Sequence, residues 1–599
     1  MSDTTASRRG AVAVAGFVAA LALVLLAMGV SLRLLGDFDM PLHIATGRRV
    51  WETGHVPRVD DFSYLHGTVR YTELASVSLF WWAYRVGGAL GLQLVGGLSA
   101  AGIAAALWAQ TRRFGPIAFV ACALAIAGST TFLVVRSSAL SFPLLALTLL
   151  ALDVHRRAAG TPRGRKALGA FVGLSFVWAN THGSVPFGLV VGAMYAAYRA
   201  TCRVARGRLG GLLPAADGSD APAAALAVTL AVAVASVNTA GPGLLLGPLR
   251  FGGQVHTLAS FTEWARPTWG FYRDHEPVAA LVLVAAVLSM ALGRDADTGE
   301  RTPALYEVGL LAMALACSAT AVRLVPFAMI LSSPLVARRL SRAVRPRGES
   351  AVVPLVCSAC ALLAPASVLV ANVPLGIGFD PTHLPEGAAR WAEAYHPTGN
   401  LWNSPPFGGY LAFRLYPEVR ILMDGRHGTA YPIQDVLEVE ASEVDPATFA
   451  SLEREHDLQW AVTRALEGAS DGLPLAASPD WAMVFLDDVA SVYVRRDGPN
   501  APMAGDGYRV LRHTSPPGAV LALAEHPGDA AGALAHDGEL AAAQAPGSAR
   551  AAFLAACGAI AARDAAAFAD ARARLAALAP GNPAITAVDG VWARVHSLP

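Results

Sequence analysis

Read from the amino terminus, the chain alternates long apolar runs with short polar connections as far as residue 374, then changes character. Stretches of bilayer-crossing length, about 17–25 residues, fall at 11–34, 90–110, 115–133, 138–154, 167–180, 184–200, 222–238, 277–293, 304–321, 323–340 and 351–373. The pattern predicts a polytopic α-helical membrane protein with eleven spans. The first run is longer than the core of a signal peptide, so it is read as an uncleaved span. Residues 74–88, which contain Trp81 and Trp82, predict an interfacial helix leading into the second span, because Trp and Tyr favour that level.

From about residue 380, prolines, charges and alternating patterns take over. Helices are expected at Glu386–Tyr395, Gly408–Tyr416 and 446–457. Strands are expected at Gly399–Asn403, Val419–Met423 and Trp460–Thr463. A hairpin around Asp487-Asp488 joins Trp481–Phe485 to Ala490–Arg495. Such alternation predicts a small α/β domain. Residues 518–599 are Ala-rich with helical spacing and predict two or three antiparallel helix pairs resembling tetratricopeptide-type repeats. The expected organisation is a membrane domain over 1–375 with its first outer loop at 35–75, an α/β domain over 376–500 on the periplasmic side, and a helical tail over 515–599 that offers a surface to a protein partner.

Composition agrees with this division. Of 599 residues 54% are hydrophobic and 15% charged, against about 25% charged in an ordinary soluble protein. The net charge of +1 provides no field for nucleic acid. Five of the six cysteines lie in or beside apolar segments, and Cys357-Ser-Ala-Cys360 sits inside one. No disulfide framework follows, and that pair reads as small buried residues of a membrane helix. Arginine sets the orientation. Arg8-Arg9, Arg112-Arg113, Arg156 to Lys166, Arg199 to Arg208, Arg294 with Arg301, and Arg338 to Arg347 fall in alternate connections. Those connections are cytoplasmic by the positive-inside rule. The amino terminus is then cytoplasmic, and the loops at 35–75 and 239–276, the turns near Arg136 and Arg323, and everything after 374 lie outside.

The candidate chemistry collects on that outer side. Gly36-Asp37-Phe38-Asp39-Met40-Pro41-Leu42-His43 follows the first span directly, and ionisable groups at the lip of a hydrocarbon slab point to function. One of the two carboxylates can act as general base towards an acceptor hydroxyl, or the two together can hold a divalent ion such as Mg or Mn. The plainer reading has Asp39 capping the helix that starts near Pro41. His43 stands four residues after Asp39, on the same helical face. Asp60-Asp61 read as an acid-rich turn. Arg136 and Arg323 stand in outer turns, where an arginine either reads phosphate through paired hydrogen bonds or snorkels. Asn180 and His182 close the fifth span, with Gly183 a candidate left-handed cap. Glu263-Trp264, in the outer loop after the seventh span, offers an acid beside aromatics, as sugar sites do.

Several of these segments resemble one family. Gly36-Asp37-Phe38-Asp39-x-x-x-His43-x-x-x-Gly47, Val56-Pro57-Arg58-Val59-Asp60-Asp61-Phe62-Ser63-Tyr64, Trp178 to Gly183, Val237 to Gly241, Thr262-Glu263-Trp264 and Asn403 to Arg426 are similar to bacterial polytopic proteins of the GT-C glycosyltransferase superfamily, in the branch related to protein mannosyltransferases and lipid A aminoarabinose transferases. The resemblance spans about residues 10–495. It implies an inner-membrane enzyme that takes a sugar from a polyprenyl-phosphate donor, inverts the anomeric carbon and works on the periplasmic side. It also implies an acid of the first outer loop, Asp37 or Asp39, acting on the acceptor, and arginines, Arg136 and Arg323, holding the lipid phosphate. Met40-Pro41-Leu42 departs from the aromatics that follow the acidic pair in many members. A scaffold for envelope polysaccharide assembly and a transporter or flippase are the rival classes. A transporter places ionisable groups near the bilayer midplane, where these spans carry almost none.

Overall fold

The computed structural model describes residues 17–29, 32–65, 67–69, 72–204, 220–252, 262–343, 375–426, 430–465 and 472–597. The expected span at 351–373 and the Cys357/Cys360 pair lie outside them. The chain divides into two compact units, Met1–His55 with Arg70–Gly378, and Val56–Val69 with Phe379–Pro599. The first outer loop is therefore split, and its residues 56–69 fold with the second unit.

The first unit is helical. Its helices are α1 (Phe17–Gly29), α2 (Asp39–Thr53), α3 (Leu74–Thr111), α4 (Pro116–Ala127), α5 (Ser141–Arg157), α6 (Pro162–Thr181), α7 (Val185–Val204), α8 (Ala221–Ala235), α9 (Gly243–Gly252), α10 (Trp269–Asp274), α11 (Pro277–Leu292), α12 (Leu305–Thr320) and α13 (Val325–Leu340). Helices α1, α3 to α8 and α11 to α13 lie at the apolar stretches of the sequence. Among the described residues, Leu74–Phe114 and Ser137–Arg157 are long and apolar enough to cross a membrane.

Several starts follow directly from residue chemistry. Pro116, Pro162 and Pro277 open the first turns of α4, α6 and α11, where the missing N–H costs nothing. The Thr161 hydroxyl accepts the Gly164 N–H at 3.2 Å and caps α6. The helix expected at 74–88 forms and leads into the second span across a kink. The two run together as α3, with one non-helical residue, Gly88 (φ 56°, ψ −143°), at the kink. Only glycine enters that backbone region without strain.

One large buried cluster holds most of the helices together. Leu107, Leu145, Phe171, Trp178 and Leu331 are buried in it, and the Phe142 and Phe327 rings meet edge-on at 5.2 Å. Large apolar side chains also face outward, among them Leu94 and Leu98 on α3, Leu226 and Leu230 on α8, and Leu281 and Leu288 on α11. Helices that are apolar on every side suit a lipid surround.

The second unit is an α/β domain with a helical tail. Its sheet has strands β1 (Asn400–Asn403), β2 (Leu458–Arg464), β3 (Trp481–Leu486) and β4 (Ala490–Arg495) in the order β1-β2-β4-β3. β1 and β2 are parallel and the other neighbours antiparallel. The hairpin forms where expected, its turn closed by the Asp487 carboxylate accepting the N–H groups of Val489 and Ala490 at 2.8 and 2.7 Å. The indoles of Trp402, Trp460 and Trp481 are fully buried, and each donates its N–H: to Ser442 Oγ, to the Gly399 carbonyl and to Glu453 Oε1. Helices Glu386–Tyr395, Pro405–Leu415 and Pro446–His456 appear as expected. The strand expected at Val419–Met423 does not. Asn403 claims its polar groups, accepting the Leu422 N–H at 2.9 Å and donating to the Met423 carbonyl at 2.8 Å. One bridge remains, from Ile421 to Ser63 of the outer loop.

The tail comprises five helices between Pro517 and Ser597. The Asp537 carboxylate ties it to the domain by accepting the N–H groups of Arg509, Val510 and Leu511 at 2.8–2.9 Å.

Candidate active site

The site is built at one end of the first unit from loops that close its helices. Asp37 precedes α2, and its Oδ1 accepts the N–H groups of Asp39 and Met40 at 3.0 and 3.1 Å. Asp37 is thus the residue that accepts open donors of α2, while Asp39, for which capping is the plainer alternative in the sequence, is the first residue of the helix. About two turns on, Gly47 lets α2 approach α3, for a Cβ there would stand 2.1 Å from the Val77 carbonyl oxygen. The Gly closing the Asp-Phe-Asp-x-x-x-His-x-x-x-Gly pattern is therefore a contact point between helices.

Arg136 occupies the turn before α5 and is nine-tenths buried. Its guanidinium donates twice to Glu263, at 2.6 and 3.0 Å. The same group lies 3.4 Å from Asp37 Oδ2 and 3.7 Å from Asp39 Oδ2. Three carboxylates from two separate loops therefore converge on one arginine. Arg323, in the turn between α12 and α13, stands 3.8 Å from Glu263 Oε2 and lies over the Trp264 ring at 4.4 Å, a cation–π geometry.

Beside this cluster, Glu73 lies between two imidazoles, 3.8 Å from His43 Nε2 and 3.6 Å from His182 Nε2. His43 Nε2 also meets Ser137 Oγ at 3.3 Å. His182 is the extended residue that ends α6, a place expected for Gly183. Its Nδ1 accepts the Ser184 N–H at 3.2 Å, which leaves the ring proton on Nε2, towards Glu73.

Of the residues singled out in the sequence, Asp37, Asp39, His43, Arg136, His182, Glu263 and Arg323 are brought together. Asn180 is not among them; its amide donates to the Phe176 and Val237 carbonyls, both at 3.0 Å. Sequence reasoning passed over Glu73 and Ser137. The one available signal was a lone carboxylate immediately before a long apolar helix.

Burial raises the Asp37 pKa above the usual carboxylate range; Arg136 works against the rise, and the charges of Asp39 and Glu263 add to it. Burial also pushes Glu263 upward, but Arg136 more than reverses this and leaves it low. Burial takes His182 down to about 4 against the pull of Glu73, so its ring is neutral at physiological pH. Environments that push like groups apart in this way separate a proton acceptor from a fixed anion.

The donors do not fit a divalent metal ion as they stand. Both Glu263 oxygens are bonded to Arg136, Asp37 Oδ1 is taken by backbone N–H groups, and a guanidinium fills the centre of the carboxylates. Among the described residues no three His, Cys, Asp or Glu side chains are arranged to hold a metal.

The Asp60-Asp61 turn belongs to the second unit. There Arg426 donates to Asp60 Oδ2 at 2.6 Å and to Asp424 Oδ2 at 2.5 Å, and the Tyr431 hydroxyl donates to Asp424 at 3.0 Å. Asp424-Gly425-Arg426 is thus part of a buried clamp on the outer-loop segment.

No protein-family model matches the sequence, and neither does any curated protein. Solved structures do. The chain is similar to the oligosaccharyltransferase AglB from Archaeoglobus fulgidus in complex with an inhibitory peptide and a dolichol-phosphate, with TM-score 0.51 and 12% identity over 76% of this chain and 70% of that one. Against the Archaeoglobus fulgidus oligosaccharyltransferase in complex with Zn and sulfate the values are 0.53 and 12% over 80% and 73%. ArnT from Cupriavidus metallidurans bound to undecaprenyl phosphate gives 0.47 and 14% over 79% and 96%. The chain has the fold of the GT-C glycosyltransferases.

Proposed function

We propose that this chain is a multi-pass glycosyltransferase of the bacterial inner membrane, with eleven spans, a cytoplasmic amino terminus and a periplasmic α/β domain. It transfers a sugar from a polyprenyl-phosphate donor to a periplasmic acceptor, whether lipid, glycan or protein. The observation that carries this reading is the convergence of Asp37, Asp39 and Glu263 on buried Arg136, with Arg323 adjacent, in a chain whose fold matches an oligosaccharyltransferase solved with dolichol-phosphate.

In the transfer step the acceptor oxygen attacks the anomeric carbon, and the bond from that carbon to the phosphate oxygen breaks with its electron pair leaving on the phosphate. The acceptor hydroxyl proton passes to Asp37 Oδ2. Its raised pKa suits Asp37 to accept that proton, while half-exposed Asp39 orients the acceptor. Neutralising Asp37 removes an anion beside Arg136 as charge develops on the departing phosphate, so the arginine is most attractive when it is needed. Arg323 supplies a second positive charge to the same group, held over Trp264.

The test is incubation of the purified chain with polyprenyl-phosphate sugars, following release of free polyprenyl phosphate and a sugar-bearing acceptor by mass spectrometry. Turnover should occur and should fall by about 10²–10⁴-fold in Asp37→Asn. Full activity in that variant removes the base assignment, and absence of turnover with every donor leaves the scaffold reading standing.

A further inference from the structure

The guanidinium of Arg136 lies where the carboxylates of this site point. Two Glu263 oxygens, Asp37 Oδ2 and Asp39 Oδ2 stand 2.6–3.7 Å from it. Asp37 reaches it from the start of α2, Glu263 from a turn more than two hundred residues later. We propose that Arg136 is the resident cation of the site, holding the position in which these three carboxylates would otherwise gather a divalent metal ion, so that the donor phosphate is met by a permanent side-chain charge.

The geometry and the chemistry of the group agree. A hard divalent ion takes about six to eight oxygens in Ca²⁺ sites, or a strict octahedron for Mg²⁺, and it needs carboxylate lone pairs to do so. Here each Glu263 oxygen already accepts an N–H of a bidentate arginine bond, the strongest form of that contact. Asp37 Oδ1 is spent on two backbone N–H groups. Arginine cannot yield the place by losing a proton, since a guanidinium stays charged in proteins. Its planar fork also differs from a metal in use, offering N–H donors of fixed direction that suit a phosphate. The placement stands on the geometry; what the charge serves rests on the glycosyltransferase reading.

Mn²⁺ titration of the purified full chain, followed by electron paramagnetic resonance, tests this without donor or acceptor. The wild-type chain should leave Mn²⁺ free. Arg136→Gln should gain one saturable Mn²⁺ site per chain, Arg136→Gln with Glu263→Gln should lose it again, and Arg136→Lys, which keeps a cation in place, should stay silent. The proposal is overturned if the wild-type chain binds one Mn²⁺ that Asp37→Asn or Glu263→Gln abolishes. It is equally overturned if Arg136→Gln, folded by size exclusion and thermal melting, gains no site. Should Arg136→Gln fail to fold, the wild-type titration against Asp37→Asn decides alone. Because no turnover enters these readings, their failure and the failure of the glycosyltransferase assignment are told apart.

Discussion

Asp37 performs two tasks through its two oxygens: one ends the unpaired donors of α2 and the other faces Arg136. Asp39 bears on the second task by charge, since it helps to raise the Asp37 pKa. Rate should fall as the pH drops through that raised value, because the base is then protonated. Asp39→Asn removes a raising charge, so the acid limb of the rate profile should move to lower pH; a limb that stays or rises contradicts the assignment. His182 makes a separate prediction. Its pKa is about 4 in the folded chain against 6.5 for the free residue, so between those values the unfolded chain binds the extra proton. Stability is then full above pH 6.5 and lost as the pH falls towards 4, by about 3 kcal/mol in total. Denaturant titrations at several pH values should show this dependence shrink in His182→Gln. The individual acids and histidines of the site were legible as residues placed oddly beside apolar runs. Glu73 was not, because its importance lies in two imidazoles brought to it from α2 and the end of α6.

At the scale of elements, the apolar periodicity located the helices, and details at their ends escaped it. The cap of α2 moved from Asp39 to Asp37, and the end of α6 moved from Gly183 to His182. Such shifts depend on which side chain reaches the open backbone groups, a matter of geometry over two or three residues. Gly47 shows what a pattern can hide. Its Cβ in Gly47→Ala would meet the Val77 carbonyl at 2.1 Å, and the atom met is backbone. The substitution should cost about 1–3 kcal/mol and push α2, with His43, away from α3. Thermal unfolding in detergent, with transfer activity alongside, checks it; an unchanged melting temperature means that the helices have room to part.

At the scale of the whole molecule, the chain divides into a helical unit and an α/β unit that takes residues 56–69 from the first outer loop. Arg426 secures that borrowed segment against two carboxylates with no exposed surface. Arg426→Met leaves both acids buried without a counter-charge and should cost about 3–5 kcal/mol. Limited proteolysis of the intact chain should then cut within the second unit, and resistance equal to wild type would show the clamp to be dispensable. By itself the sequence determined the helical membrane-type domain, the α/β domain and tail, and the outer-loop acids and arginines as candidates, because apolar length, periodicity and residue chemistry are local properties. Tertiary structure alone decided that Arg136 stands amid three carboxylates, that Asp60 serves a structural clamp and that Asn180 stays outside the site. Those facts turn on which distant loops the packed helices and sheet bring within a few ångströms, and no spacing along the chain records that distance.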